Sequence, residues 1–348
     1  MEENITKRNH SSVKQTLWSQ PLPLMAACFV PGQARQYIDS LKDKQMQVSA
    51  LCELYYYRGE GKDCVALARP LLRSRRYAVK MTSALMFTFG SICAGNFGDA
   101  KAVFIKFKNE YEEKLMSGSL RSEEEKLYAG FLYNLASVLL HLTDNIFVEL
   151  DVKALPGGIR LIAFYVIGHQ HYLKGEYGQA VGVCETALAL REQTYPVGEI
   201  YLHLMLCISY MNLHEREKAT AHFEQAWELA RPEGFIEPFA EHHGLLQGMI
   251  EIHLRKNEPE LYESIIRQVY VFAATWRQVH NPQTDHLVAD NLTTIEFTVA
   301  MLVSRGWSNK KIAEHLGISL STVKAHIYNV YKKLHIGSRK EISPFMLK

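Results

Sequence analysis

Along most of this chain, apolar residues return every three or four positions in stretches of about 12–16 residues, each closed by a short polar turn. That spacing places apolar side chains on one face of an α-helix. Alternation with period two, the mark of a half-buried strand, is nowhere sustained, so the pattern predicts an all-α protein. The turns echo one another. Gly59-Glu60-Gly61-Lys62-Asp63-Cys64, Gly95-Asn96-Phe97-Gly98-Asp99-Ala100 and Gly175-Glu176-Tyr177-Gly178-Gln179-Ala180 share one form, and their first glycines lie 36 and then 80 residues apart, about one and two periods of 40. Leu213-His214-Glu215-Arg216-Glu217-Lys218-Ala219 is a fourth echo, and Arg255-Lys256-Asn257-Glu258-Pro259-Glu260-Leu261 a weaker fifth.

In the clearest unit, Phe164–Leu173 precedes the turn and Gln179–Arg191 follows it. Gly175 suits the left-handed residue that ends a helix. Ala180 and Ala187 lie seven apart, share a face, and let two helices approach closely. Gly168, Gly175, Tyr177, Ala180 and Ala187, in that order, resemble a tetratricopeptide repeat. The next unit keeps Ala219, Phe223 and Ala226, with Pro232 just past its second helix, while Cys207, His214 and Arg216 depart from the pattern. One such hairpin cannot bury its apolar face alone, so neighbours must stack. The expectation is a superhelix of five or six helical hairpins over roughly 35–277, with a concave surface. Phe147–Gly158, with Pro156-Gly157-Gly158, interrupts the pattern and predicts a loop or irregular unit. Two uses of residues 21–277 stay open: a sensor or docking surface for a small-molecule or protein effector, or a spacer that holds the terminal module or mediates self-association. Tyr55-Tyr56-Tyr57 either lines a groove or fills the core.

The pattern changes after Trp276. Gln278–Asn291, with Asn281-Pro282 and few apolar residues, predicts a linker. Three short helical patterns follow. Thr294–Ser304 carries Val299, Ala300 and Val303 on one stripe and ends at Gly306. Ser308 caps Asn309–Leu316, in which Ile312 and Leu316 face inward. Gly317 makes the tight turn, and Ser319 caps Leu320–Leu334. In that last helix Val323, Ile327, Val330 and Leu334 form the core stripe. Ser321, Lys324, Ala325, Tyr328 and Lys332 fall on the opposite side. Small, basic and hydrogen-bonding groups on an exposed helix suit the DNA major groove. Lys324 can donate to guanine acceptors, Ala325 can touch a thymine methyl or permit close approach, and Tyr328 can reach a base edge or a phosphate. His326 bonds a phosphate or packs half-buried.

The blocks Ser308-Asn309-Lys310-Lys311-Ile312-Ala313, Gly317-Ile318-Ser319, Thr322-Val323-Lys324-Ala325-His326-Ile327, Lys333-Leu334 and Ser338-Arg339-Lys340-Glu341 resemble the LuxR-type helix-turn-helix family over about 292–343. The resemblance implies a four-helix DNA-binding domain over 292–348 and a transcriptional regulator. It implies that the third helix is the recognition helix, with Lys324, Ala325, Tyr328 and Ser321 toward base edges. Asn309, Lys310, Lys311, Thr322, His326, Lys332 and Arg339 are expected at phosphates. A fourth helix, about Arg339–Met346, is implied as a dimer contact, so the expected partners are double-stranded DNA, a second copy of the chain on DNA, and RNA polymerase. Ile295, Thr298 and Lys311 stand where the family has Arg, Glu and Glu, which trims local salt bridges or a capping box. Helical repeats followed by this module also resemble the C-terminal part of the large maltose-regulator-like activators. Those carry a nucleotide-binding domain, and no such motif is found here: Arg58-Gly59-Glu60-Gly61-Lys62-Asp63 has Tyr56 where a phosphate loop needs its first glycine and Asp63 where it needs Ser or Thr. No cofactor is expected.

Charge supports the division. Between Asp290 and Lys348 nine Lys or Arg face four acids, a balance of +5, leaving −3 for the rest of a chain whose formal net charge is +2. A basic end on a mildly acidic body points to a polyanion partner for that end. The six cysteines form no C-x-x-C pair and sit in apolar stretches, as reduced core thiols in a cytoplasmic protein do. Leu22–Val30 is too short and Pro-rich to cross a membrane, and residues 1–20 are expected to be a disordered tail. His169 with His171, and His242 with His243, diverge around a helix, so no metal site is expected. No nucleophile elbow or other catalytic motif is present, and the expectation is a non-enzyme. The rival is an interaction scaffold whose terminal module docks protein.

Overall fold

The computed structural model describes residues 22–120, 122–139, 149–280 and 292–346. The expected tail and most of the expected linker therefore lie outside the described residues. The described chain is helical, with no strand among those residues. Its helices are α1 (Ala34–Ser40), α2 (Lys44–Tyr57), α3 (Gly61–Leu71), α4 (Tyr77–Cys93), α5 (Phe97–Met116), α6 (Glu123–Leu139), α7 (Gly157–Leu173), α8 (Tyr177–Ala189), α9 (Pro196–Asn212), α10 (Arg216–Ala230), α11 (Glu237–His242), α12 (Met249–Leu254), α13 (Pro259–His280), α14 (Thr294–Ser304), α15 (Asn309–Leu316) and α16 (Leu320–Leu334). A 3₁₀ turn follows at Arg339–Phe345.

The echoed turns build the hairpins α2–α3, α4–α5, α7–α8 and α9–α10. Each first helix ends the same way. The residue in the turn takes a left-handed backbone, at Gly59 (φ 75°), Gly95 (78°), Gly175 (78°) and His214 (63°). The next amide then reaches back five residues, as from Glu60 N–H to the Tyr55 carbonyl, Asn96 to Ser91, Glu176 to His171 and Glu215 to Tyr210. This Schellman closure satisfies carbonyls that the helix end would otherwise orphan. Glycine takes that conformation freely, whereas histidine is strained in it. Replacing His214 by glycine is expected to stabilise the chain by about 0.5–1 kcal/mol, read as a higher urea midpoint.

Four expectations are corrected. Gly157 and Gly158 are not loop residues; they open α7, and a side-chain carbon at Gly158 would strike the Met25 and Ala26 backbone. The fifth echo, 255–261, forms no left-handed turn. It joins the short α12 to α13, which runs on to His280 and so includes the first three residues of the expected linker. The array also does not present an open concave groove. Its last helices close against its first. Gln268 on α13 donates to the Cys93 carbonyl at 2.9 Å, Tyr56 on α2 donates to Glu241 on α11 at 2.6 Å, and Arg58 donates to the Glu233 carbonyl at 2.9 Å. Tyr56 and Tyr57 are therefore core residues. Leu22–Ala27 and Phe29 are buried too, held where Glu53 accepts the Leu24 and Met25 amides at 3.0 and 2.8 Å, but Cys28 between them is exposed, so five of the six cysteines and not all six are core thiols. Gly59-Glu60-Gly61-Lys62, the nearest thing to a phosphate loop, is the α2–α3 turn, and Gly61 lies where α3 meets the backbone of Gly90.

Candidate nucleic-acid interface

The last three helices are set by their caps. Thr293 and Glu296 form a reciprocal capping box at the start of α14. Ser308 accepts the Lys311 amide and Ser319 the Thr322 amide, starting α15 and α16. Gly306 (φ 81°) and Gly317 (φ 62°) make the two turns between them. Val299, Ala300, Ile312, Val323, Ile327, Val330 and Leu334 then meet in one buried core. The six larger of these side chains, each contributing about 1.5–3 kcal/mol if fully buried, fix which side of α16 faces inward.

The opposite side of α16 is open. Ser321, Thr322, Lys324, Ala325, Tyr328 and Lys332 are exposed, with Tyr328 at 68%, and His326 is half-buried. Residues 321, 325, 328 and 332, and 324 with 328, step by three or four and so share one face. The hydroxyls of Ser319, Ser321 and Thr322 gather at the N-terminus of α16, each pair to Ser319 at 2.7 Å. Their cluster and the free amides there suit an anion. Lys310 and Lys311 are exposed at the start of α15. Lys310 lies only 4.0 Å from Glu314, a distant and solvent-screened pair.

Two expected phosphate ligands are engaged with each other. Arg339 donates to Asn309 Oδ1 at 2.8 Å and also to the Trp307 carbonyl. Its guanidinium thus ties the 3₁₀ turn to the α14–α15 loop. The expected fourth helix is that 3₁₀ turn, since Pro344 supplies no N–H and disfavours α geometry at Ser343. Glu341 accepts from Ser338 at 2.5 Å and Gly337 at 3.2 Å, which hold its carboxyl below the ordinary value. Lys333 is turned inward to Glu296 at 2.7 Å. Burial pushes the Glu296 carboxyl up, but Lys333 and the Thr293 hydrogen bonds outweigh it and hold the group below its ordinary value. The box and this ion pair keep α14 fastened despite Ile295 and Thr298.

Asn329 was not among the residues singled out from sequence, yet it is exposed beside Tyr328 and four residues after Ala325. Its amide can pair with adenine N6 and N7. The step of four from Ala325 was the available signal. In the repeat body, a cavity of about 220 Å³ opens between α6, residues 149–152 and α7, lined by Phe131, Asn134, Leu150, Ala163 and Val166. His169 and His171 do diverge: the first is buried beside Tyr165, and the second is partly exposed and bonds Glu176 at 2.7 Å. No helix among the described residues is long and apolar enough to cross a membrane.

Comparison with known proteins agrees with this geometry. Residues 290–345 match the family model of bacterial regulatory proteins, luxR family. The HTH-type transcriptional regulator MalT of Vibrio campbellii is 42% identical over 64 residues, 18% of this chain and 7% of that protein. The regulator of the same name from Serratia proteamaculans is 26% identical over 192 residues, 50% of this chain and 21% of the relative. That from Klebsiella pneumoniae is 28% identical over 154 residues, 40% and 17% respectively. The chain spans about a fifth or less of the length of these relatives. No solved structure matches it. With its three capped helices, its outward third helix and a match across its whole length, the segment 290–345 belongs to the LuxR-type family of helix-turn-helix regulatory domains.

Proposed function

We propose that this chain is a DNA-binding transcriptional regulator that reads double-stranded DNA with α16 in the major groove. The observation that carries this reading is the division of α16: a buried aliphatic stripe behind it and, in front, an uncovered face of Lys324, Ala325, Tyr328 and Lys332. Lys324, with Tyr328 and Asn329, reads base edges, and Ser321 and Ala325 permit close approach. Lys310, Lys311, Lys332 and the Ser319–Thr322 hydroxyl cluster hold phosphates. His326, half-buried, supports that row. Arg339 and Asn309 act chiefly by positioning the loop before α15.

The 3₁₀ segment Arg339–Phe345 leaves Lys340 and Glu341 exposed and is the surface we assign to pairing of two modules on DNA. RNA polymerase is a further partner of such a regulator. The repeat body receives the signal, a small molecule or a protein, and its cavity beside α6 and α7 supports the small-molecule form. The protein is non-catalytic and works in the cytoplasm.

Salt dependence tests the reading against a module that docks protein. Binding to duplex DNA should weaken with log affinity falling about 0.9 for each phosphate contact per log unit of salt. Three lysines and the hydroxyl cluster give a slope of about −3 or steeper per module. Titration of a labelled duplex between about 50 and 300 mM salt measures it. A flat response would assign the surface to a protein partner.

A further inference from the structure

The side of the helix-turn-helix module opposite the open face of α16 lies on the repeat body along a seam. The Phe297 ring lies over Gly244, where any side-chain carbon would strike it. Leu316 and Thr298 lie in the same way over Gly248. Arg305 donates to Tyr177 and Tyr172 at 3.0 and 3.3 Å. His214, the strained residue of the α9–α10 turn, sits with its ring 6.1 Å from that of Trp307. His315 Nε2 donates to the Gln247 carbonyl at 2.7 Å.

Polar groups are stranded along this seam. Gln247 is 0% exposed, and neither end of its amide has a hydrogen-bond partner. His315 Nδ1, Trp307 Nε1 and Thr298 Oγ1 are buried and unpartnered as well. Gln247 (φ 52°) and Gly248 (φ 92°) are consecutive left-handed residues, the first without glycine's freedom. Buried polar atoms are normally paired, and strained backbone persists only where something else holds it. Separation of the two surfaces would hydrate these stranded atoms at the cost of exposing Phe297 and Leu316. A seam in which stranded polar atoms and strained backbone offset the apolar contacts is a contact with two accessible states.

We propose that the DNA-reading module docks reversibly on the repeat body through this seam, with the Gln247–Gly248 turn as the latch that couples the state of the body to the freedom of the reader. In the docked state the outer face of α16 stays uncovered, so docking sets the orientation of the reader and does not mask it. A change in the body that relaxes the 244–248 turn withdraws the His315 acceptor and releases the module. The inference goes beyond DNA binding itself, because it concerns how the two parts of the chain act on each other.

Hydroxyl-radical footprinting of the full chain tests it. Gly244→Leu places a side chain against Phe297, at a residue whose backbone is not left-handed. Oxidation of Trp307 and Phe297 is expected to rise at least about threefold in this variant, with Tyr201 and Phe239 in the body core unchanged. Adding Phe297→Ala makes room for the new side chain and should return Trp307 to its protected level. Unchanged Trp307 in Gly244→Leu, or a rise shared with Tyr201 and Phe239, overturns the dock. Binding of the same three chains to a random-sequence 30-base-pair duplex at low salt gives the second readout. An affinity change of about threefold or more in Gly244→Leu, reversed in the double variant, supports coupling to the reader, and equal affinities in all three overturn it. If no chain binds the duplex, the DNA-reading assignment fails while the footprint still decides the dock.

Discussion

Replacing Lys324 by alanine is expected to weaken binding to the preferred duplex by about 1–3 kcal/mol, roughly 5- to 150-fold, while leaving binding to random duplex nearly unchanged. The asymmetry follows from where Lys324 sits. It is exposed at the middle of the open face of α16, one turn before Tyr328, and no ion pair holds it among the described residues. Its removal therefore leaves the buried stripe Val323, Ile327 and Val330 untouched and the module folded. What is lost is a donor to base-edge acceptors, and that loss is felt only where the right base is opposite. Lys311→Ala and Lys332→Ala should behave otherwise, weakening both duplexes alike and lowering the salt slope by about one each. The preferred duplex comes from selection out of a random pool by the purified chain, followed by competition titrations. Equal loss on both duplexes with Lys324→Ala would remove it from base recognition and make it one more phosphate contact.

The parts of this structure that can be read in the sequence are those encoded over a few residues. Ser308, Ser319, Gly306 and Gly317 each announce a helix end by their own hydrogen bond or backbone preference, which is why α14, α15 and α16 fall where the pattern places them. The repeated turns were legible for the same reason, since a left-handed residue and its back-reaching amide form one local unit. His214 shows the limit, because the turn persists there without the glycine that announces it elsewhere. What could not be read depends on residues far apart in the chain. Gln268 reaches Cys93 across 175 positions, and Tyr56 reaches Glu241 across 185. Nothing in the local pattern of α13 says that it folds back on α4. The outward face of α16 was readable because the aliphatic stripe alone fixes it. The engagement of Arg339 by Asn309 and Trp307 was not, since a basic residue near a DNA-binding surface reads as a phosphate ligand until its neighbours are known. The seam with the repeat body was invisible for the same reason, as Gly244 and Gly248 carry no chemistry of their own.

Closure of the array also buries acids, and this predicts how the protein responds to pH. Glu53 and Glu237 are fully enclosed, and the Glu241 side chain is nearly so. Burial pushes the Glu53 carboxyl up to about 8 against the pull of the Leu24 and Met25 amides, and pushes Glu241 up to about 7 against Tyr56 and Tyr201. Burial, reinforced by Glu241, holds Glu237 well above its ordinary value. A carboxyl raised in the folded state contributes its full stability below its unfolded value of 4.5 and loses it as the pH rises to the folded value. Buried histidines act in the opposite range. Burial lowers His242 and His315 to about 4 and His203 to about 3, so their contribution is complete above 6.5 and lost below it. Between pH 6.5 and 8.0, then, these histidines add back only about 0.4 kcal/mol each, while each buried carboxyl lowers stability with rising pH for as long as it holds, in the folded state, a proton that the unfolded chain has already lost. At about 1.4 kcal/mol per such group and pH unit, Glu53 contributes a fall of about 1.5 kcal/mol over that window and Glu241 about half as much, and Glu237, held well above its ordinary value, adds to it. Urea unfolding at the two pH values measures the fall. Glu53→Gln keeps the shape and one of the two oxygens that accept the Leu24 and Met25 amides but has no proton to lose, so it should remove the Glu53 share of the slope. Glu241→Gln should remove about half as much, and the part that Glu237 carries should remain in both variants. A Glu53→Gln chain with the full slope of the parent would show that Glu53 is already ionised at pH 6.5, held as a carboxylate by its two amides, and that the slope comes from Glu237 and Glu241.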